Sequence, residues 1–308
     1  MTAIVPAVLH AIVVTFNPER DVLQREFAML APQVDKIWLL DNASNRPLAA
    51  WVSDLPLVGD LELVQMSGNV GLGAAQNAGI ARARASGATH VLILDQDSEP
   101  MPDMVDRLLA ASDRLQSAGV RVAAVAPVYA DSATGPTSGF VRLGWLDFKK
   151  QTVLPGQDVV EADFVISSGS LMPANVLDDI GPMDESLFID HVDTEWCLRA
   201  QFKGYRLFGV PNARMVHMLG DRRKRIWFLR WRNVPYHSPF RYYYILRNSI
   251  LLQRRKYTPL KWRVAELLRS VRVVFFYGLF SANRLQCLQY MFKGIWHGLK
   301  GISGPYKA

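Results

Sequence analysis

The apolar run Val91-Leu92-Ile93-Leu94 ends in two carboxylates separated by one residue, Asp95-Gln96-Asp97-Ser98. Pro100 and Pro102 follow at once, so no helix continues through the site. An apolar run closing in Asp-x-Asp reads as a buried strand that delivers two acids to its carboxyl edge. In an open α/β sheet, ligands sit at that edge. Two hard oxygen donors on a short loop suit Mg²⁺ or Mn²⁺, held together with substrate phosphates. A polar turn after a strand uses the same residue types, so the pair needs support from the rest of the chain.

Four further clusters could carry chemistry. Gly68, Gly71 and Gly73, with Asn77, lie where a helix begins, and glycines there let backbone N–H groups approach a phosphate. Asp41-Asn42 ends an apolar stretch and offers groups that could bind a base or ribose, or simply form an Asx turn. Asp190, His191, Asp193 and Glu195 crowd into six residues beside Trp196. Clustered acids repel one another, which raises at least one pKa and improves a base. Asp193 could equally cap the helix that follows. His217, after Ala213-Arg-Met-Val, is either a satisfied histidine or a third metal ligand.

The elements that must position these residues alternate. Residues 7–15 read as a strand, 19–34 as an amphipathic helix and 36–40 as a second strand. Residues 61–66 read as a third strand, 74–86 as a helix, and 91–95 as the strand that ends in the acids. This order predicts an α/β fold with a doubly wound sheet. A helix over 104–118 and a strand over 120–128 follow. Residues 131–160 read as loop or hairpin, 187–203 as a loop entering a helix, and 205–210 as a strand. The glycine segment follows the third strand rather than the first, which argues against a dehydrogenase fingerprint.

Charge divides the chain of 308 residues. Residues 1–221 carry 16 Lys/Arg against 27 Asp/Glu, whereas residues 222–308 carry 19 against Glu266 alone. Within 222–265, basic residues interleave with ten aromatics, from Trp227 to Trp262. Such a tail suits an anionic membrane surface or nucleic acid. Its longest apolar stretch, Val273–Ala282, is about half the ~20 residues a spanning helix needs. The tail is therefore expected to lie on a bilayer or to pack on the catalytic unit. The cysteines Cys197 and Cys287 form no CxxC pair, so neither a disulfide framework nor a zinc site is expected, and a reducing cytoplasm fits. Residues 1–10 lack the basic start of a signal peptide.

Taken in order, seven segments resemble an inverting glycosyltransferase of family 2 with the GT-A fold, and more narrowly the bacterial rhamnosyltransferases that build surface polysaccharides. They are Val14-Thr15-Phe16-Asn17, Asp41-Asn42-Ala43-Ser44, Asn69 through Asn77, Asp95-Gln96-Asp97-Ser98, Ser167 through Ser170, Asp193-Thr194-Glu195-Trp196 with Arg199, and His217. The resemblance implies donor contacts from Thr15, Asn17, Asp41, Asn42, Asn69, Gly71, Asn77, Asp95, Gln96 and Asp97. It implies acceptor contacts from Ser168, Gly169, Asp190, Glu195, Trp196 and Arg247. Asp193 matches the base that takes a proton from an acceptor hydroxyl. Val192 stands where the commonest pattern has a second acid, and Asp190 is the substitute at hand. Asp97 and His217 would hold Mg²⁺ or Mn²⁺. The implied donor is dTDP-L-rhamnose, and the acceptor a polysaccharide or lipid-linked saccharide of the cell envelope, as in O-antigen synthesis.

The resemblance also implies a boundary. Residues 1–221 would form the catalytic domain, with the nucleotide-sugar part at 1–130 and the acceptor and base part at 131–221. Residues 222–308 would form a basic helical extension, peripheral on the inner face of the cytoplasmic membrane. A nucleotidyltransferase shares the sheet and acids but would place a glycine-rich loop after the first strand, where this chain has Thr15-Phe16-Asn17-Pro18-Glu19. Another nucleotide-sugar donor, UDP-galactofuranose or a UDP-hexose, is the nearer alternative. Nucleic acid binding would leave the acid clusters without a role, so none is expected.

Overall fold

The computed structural model describes residues 7–53, 59–130, 137–151, 153, 156–217, 222–228, 230–236, 238–281 and 283–307. Strands β1 (Leu9–Thr15), β2 (Lys36–Asp41), β3 (Asp60–Gln65) and β4 (His90–Asp95) alternate with helices α1 (Arg20–Leu30), α2 (Ala49–Ser53) and α3 (Leu72–Ala85). β5 (Ser98–Pro100), α4 (Met104–Ser117) and β6 (Val122–Ala130) follow. A small hairpin, β7 (Phe140–Leu143) and β8 (Phe148–Gln151), occupies part of the stretch read as loop or hairpin. Then come β9 (Val160–Ala162), β10 (Ser170–Pro173), α5 (Ala174–Ile180), α6 (Val192–Phe202) and β11 (Arg206–His217).

The main sheet runs β3-β2-β1-β4-β10-β6-β11-β5, with β9 added against β11. Its first four strands are parallel, and β10 enters antiparallel between β4 and β6. Alternate strand residues face opposite layers, as the twofold period of a strand requires. In β1, Leu9, Ala11 and Val13 pack with α1 and α4, while Ile12 and Val14 pack with the layer that contains α3, α5 and α6. A sheet covered on both faces is the doubly wound, mixed arrangement expected of a GT-A fold. Gly79 lets α3 lie directly on β1, since a Cβ there would stand 2.5 Å from Ile12. Cys197 and Cys287 are both free and buried.

The tail is the helical extension expected, preceded by an antiparallel hairpin, β12 (Arg222–Phe228) and β13 (Arg230–Tyr236). The aromatic and β-branched residues of 226–236 favour strands, a preference that composition alone hides behind the charge. Three helices follow: α7 (Arg241–Gln253), α8 (Leu260–Phe280) and α9 (Arg284–Lys300). Among the described residues, no helix is long and apolar enough to cross a membrane.

Candidate active site

The carboxyl edge of the sheet opens into a cleft of about 490 Å³. β1 and β4 deliver Thr15 and Asp95 to it, because Val14 and Asp95 are in register. Asp97 follows on the turn into β5, and β5 pairs with the end of β11 so that Ser98 faces His217. His217 is thereby brought 122 positions along the chain to the acids: its Nδ1 is 3.2 Å from Asp97 and its Nε2 is 3.9 Å from Asp95.

Hydroxyls fix this corner from below. Ser98 Oγ lies 3.1 Å from His217 Nδ1 and 2.6 Å from Ser168 Oγ, which accepts from the Asp95 backbone N–H at 3.1 Å. Burial pushes the Asp95 carboxyl up to about 6, against the pull of His217. Burial would lower His217, but the hydrogen bond to Asp97 and the charge of Asp95 outweigh it and raise its pKa. Beneath lies Glu26 of α1, wholly buried. Burial, then the charges of Asp97 and Asp95, drive its carboxyl well above the ordinary range.

The loop before α3 forms one wall. Asn42 Oδ1 accepts from Val70 N at 2.9 Å, and Asn42 Nδ2 donates to Asn69 Oδ1 at 3.2 Å. Gly71 has φ 89°, and a Cβ there would stand 2.6 Å from the Phe188 carbonyl. Only glycine fits that backbone and that approach.

The opposite wall is the segment 188–193. Phe188, Asp190 and His191 all adopt left-handed backbone, with φ of 67°, 61° and 61°. Such conformations persist only where surroundings over-determine them. Here α7 does so. Asn248 Nδ2 donates to the carbonyls of Leu187, Ile189 and Asp190 at 3.0, 2.8 and 2.9 Å. Arg247 donates to Leu187 O at 2.8 Å, and Arg241 Nε to Asp190 at 3.1 Å. The clamped segment starts α6 at Val192, so Asp193 sits in the first turn rather than at the N-cap. It faces the cleft shared with Asp95, Asp97 and His217. Burial raises the Asp193 carboxyl, although the Thr194 N–H donates to it at 2.7 Å. Burial also raises Asp190, and Arg241 pulls the other way.

A second cavity, about 400 Å³, adjoins the first across Asp190 and His191. Phe148, Phe164, Ile245 and Trp262 line it, with Thr194, Glu266 and Arg269.

The residues singled out in the sequence divide into two groups. Thr15, Asn42, Asn69, Gly71, Asp95, Gln96, Asp97, Asp190, Asp193 and His217 line the main cleft. The others serve its frame. Asp41 is buried and accepts from Ser44 N at 3.0 Å. Asn17 lies beside a separate hollow near Arg46 and Trp51, and its Oδ1 accepts from Asn45 N at 2.8 Å. Asn77 spends both ends of its amide on Met183 and also donates to Glu185. Ser168 and Gly169 are packed under β4, where a Gly169 Cβ would stand 2.7 Å from Met215 and Pro127.

Three acceptor-side assignments meet the core instead. Glu195 is buried, accepts two bonds from Arg199 at 2.8 Å, and also takes the Tyr257 hydroxyl. Trp196 is buried with its N–H on Gly181 O at 3.1 Å. Arg247 is fully buried as a clamp. Glu195 is drawn inward by Arg199 and Tyr257, Trp196 by its bond to the Gly181 carbonyl, and Arg247, on α7, by the carbonyl of Leu187. Glu26 carried no signal in the sequence, whereas Ser98 closes the Asp-x-Asp segment, and Arg241 and Asn248 stand with Arg247 in the stretch that the resemblance places near the acceptor.

The sheet, its two helical layers and the acid-lined edge define a GT-A-type nucleotide-sugar enzyme fold. Residues 11–181 match the family model Glycosyl transferase family 2. The chain is also 33% identical, over 96% of its length and 96% of the relative's, to a dTDP-rhamnosyl transferase, RfbF, of Shigella flexneri. It belongs to glycosyl transferase family 2 and is a glycosyltransferase. Solved structures support the fold. A GalNAc-T7 structure with UDP, GalNAc and Mn²⁺ aligns with TM-score 0.61 at 14% identity, covering 96% of this chain. This chain spans 56% of that longer protein. The S. aureus TarS 1-349 structure with UDP-GlcNAc aligns with TM-score 0.56 at 12% identity, over 96% of this chain and 81% of the other.

Proposed function

We propose that the protein transfers L-rhamnose from dTDP-L-rhamnose, with inversion, to a hydroxyl of a polysaccharide or lipid-linked saccharide of the cell envelope. The observation that carries the reading is the shared cleft: Asp193 on one wall faces Asp95, Asp97 and His217 on the other. The near full-length likeness to a dTDP-rhamnosyl transferase supports the donor.

In this reading the nucleotide lies along Thr15, Asn42 and Asn69, with its diphosphate toward Asp97 and His217. Asp193 takes the proton of the acceptor hydroxyl, and its raised pKa makes it a better base than a solvated carboxylate. The acceptor oxygen bonds to the anomeric carbon as the bond to the diphosphate oxygen breaks, and that oxygen leaves with the electron pair. A single displacement from the opposite face inverts configuration. The second cavity, beyond Asp190 and His191, supports an acceptor approach from the side of Asp193.

Among the described residues, no cluster of three His, Cys, Asp or Glu forms a ready cation cage. The donors present still fit Mg²⁺ or Mn²⁺, which bind through one or two carboxylates while phosphates and waters complete the shell. Asp97 and His217 would hold the ion, with Asp95 beside them. Bound there, it would neutralise charge on the departing diphosphate.

A panel of nucleotide sugars, each with Mg²⁺, Mn²⁺ or a chelator, tests the reading by thermal protection and by release of nucleoside diphosphate. Protection by dTDP-L-rhamnose above UDP-hexoses is expected. Protection by a UDP-sugar alone replaces the donor, and protection by none removes the reading.

A further inference from the structure

The tail helices leave a large apolar surface uncovered. On α8, Leu260, Leu267, Val271, Phe275 and Leu279 are all exposed, at spacings of seven, four, four and four residues. That spacing keeps them on one stripe. On α9, Leu285, Phe292, Trp296 and Leu299 repeat the pattern. Phe275 is 62% exposed, Phe292 59% and Trp296 56%. The inward faces of the two helices pack together through Tyr277, Cys287 and Met291, so the outer rows are not needed for the core.

A third element joins them. The turn between β7 and β8 exposes Trp145 and Leu146. It is tied to α8 by Arg272, which donates to Leu146 O at 3.3 Å, and by Lys261, whose Nζ lies 5.8 Å from the centre of the Trp145 ring. The strands on either side of that turn, through Val141 and Phe148, and α8, through Trp262, Glu266 and Arg269, border the second cavity. A soluble monomer rarely leaves so much contiguous apolar surface without an occupant.

The surrounding charge selects the occupant. Arg272, Arg284 and Lys300 are exposed on the same two helices, and Lys300 stacks 4.4 Å from the Trp296 ring. The single acid of residues 222–308, Glu266, is buried and paired with Arg269. A second copy of this chain would bring two strongly cationic faces together, which costs free energy. Nucleic acid would suit the charge but not the leucine and phenylalanine rows. An anionic bilayer suits both, with the apolar rows in the acyl boundary and the cations among the headgroups.

We propose that α8, α9 and the Trp145-Leu146 turn form one face that seats the enzyme flat on an anionic membrane surface, with the second cavity opening beside it. The proposal stands on this face and not on the identity of the donor. The full chain is sedimented with mixed phosphatidylglycerol–phosphatidylcholine vesicles and with pure phosphatidylcholine vesicles. Binding to the mixed vesicles is expected, with little to the neutral ones. The double variant Phe275→Ser, Trp296→Ser should bind at least about tenfold more weakly. An unchanged melting temperature shows that this variant is folded. Arg272→Gln and Lys300→Gln should each weaken binding about fivefold. The proposal is overturned if the wild type stays in the supernatant, or if the apolar variant binds as the wild type does. A wild-type dimer in sedimentation velocity that the apolar variant dissolves, without vesicle binding, also overturns it and assigns the face to a second copy.

Discussion

The two walls of the cleft are built in opposite ways. The wall of Thr15, Asn42, Asp95 and Asp97 hangs from parallel strands whose ends are in register. Each side chain there is placed by the strand that precedes it, with positive φ at Asn17, Ala43 and Gly71 only in the turns that follow those strands or open α3. The wall of Asp190 and Asp193 rests on three left-handed residues pinned by donors from α7, more than fifty positions away. One wall is local and the other is held at long range. The tail therefore contributes to the cleft, because Arg241 lines it and Asn248 holds the wall of Asp190.

The largest effect should come from the end point of the long-range wall. Asp193→Asn keeps the shape of α6 and removes the proposed base, so transfer should fall by about 10³-fold while donor affinity stays within a few fold. Steady-state rates and donor titration check this. Near-normal transfer by the variant would move the base to Asp190. On the local wall, His217→Ala should lose about 100-fold in the Mn²⁺ response or in donor affinity, with the fold intact. If titration of Mn²⁺ leaves the variant indistinguishable from wild type, His217 only frames Ser98 and Asp97.

A smaller effect separates the walls directly. Asn248→Ala removes the donor to three carbonyls and should lower stability by about 2–3 kcal/mol, read as a drop in melting temperature. Because Asn248 does not line the donor cleft, kcat should fall more than donor affinity. Equal losses in both would mean that the two walls move as one body.

The same contrast explains what was legible in the chain. Alternating apolar runs followed by turn residues set out β1, β2, β4 and the acids at their ends, because strand and site share one short stretch of sequence. His217 was legible as a candidate partner of Asp97, yet its placement beside Ser98 needed the β5–β11 pairing, which no local pattern encodes. Glu195 and Trp196 drew attention by proximity to Asp193, but Arg199 holds one and the Gly181 carbonyl the other in the core. Glu26 escaped altogether, and Asn248 was legible only as a neighbour of Arg247 near the acceptor, because its clamp on the 187–190 carbonyls depends on contacts across folded layers. The β12–β13 hairpin was hidden because a dense basic charge dominates the composition of the segment that forms it.

The least effect, and the finest probe of the long-range wall, is its response to acid. His191, the residue before α6, is buried between Trp262 and Arg269, and burial lowers its pKa to about 4 despite the nearby Glu266. Its Nε2 accepts from Arg269 at 3.2 Å, which requires the neutral ring. The folded pKa therefore lies below the unfolded value of about 6.5. Below about pH 6.5 the unfolded chain takes up a proton that the folded chain refuses, so stability falls as pH drops from about 6.5 toward 4. Between pH 7 and 5 this single group should remove up to about 2 kcal/mol. Burial-raised carboxyls such as Asp95 and Asp193 act with the opposite sign, losing stability as pH rises, so the total profile mixes both. The difference between wild type and His191→Gln isolates the histidine, because glutamine keeps an acceptor for Arg269 and cannot titrate. Chemical denaturation at several pH values should show a shallower acid slope in the variant. Parallel slopes would place the acid sensitivity outside His191, and the clamp on Asp193 would then owe nothing to the charge state of the residue that begins its helix.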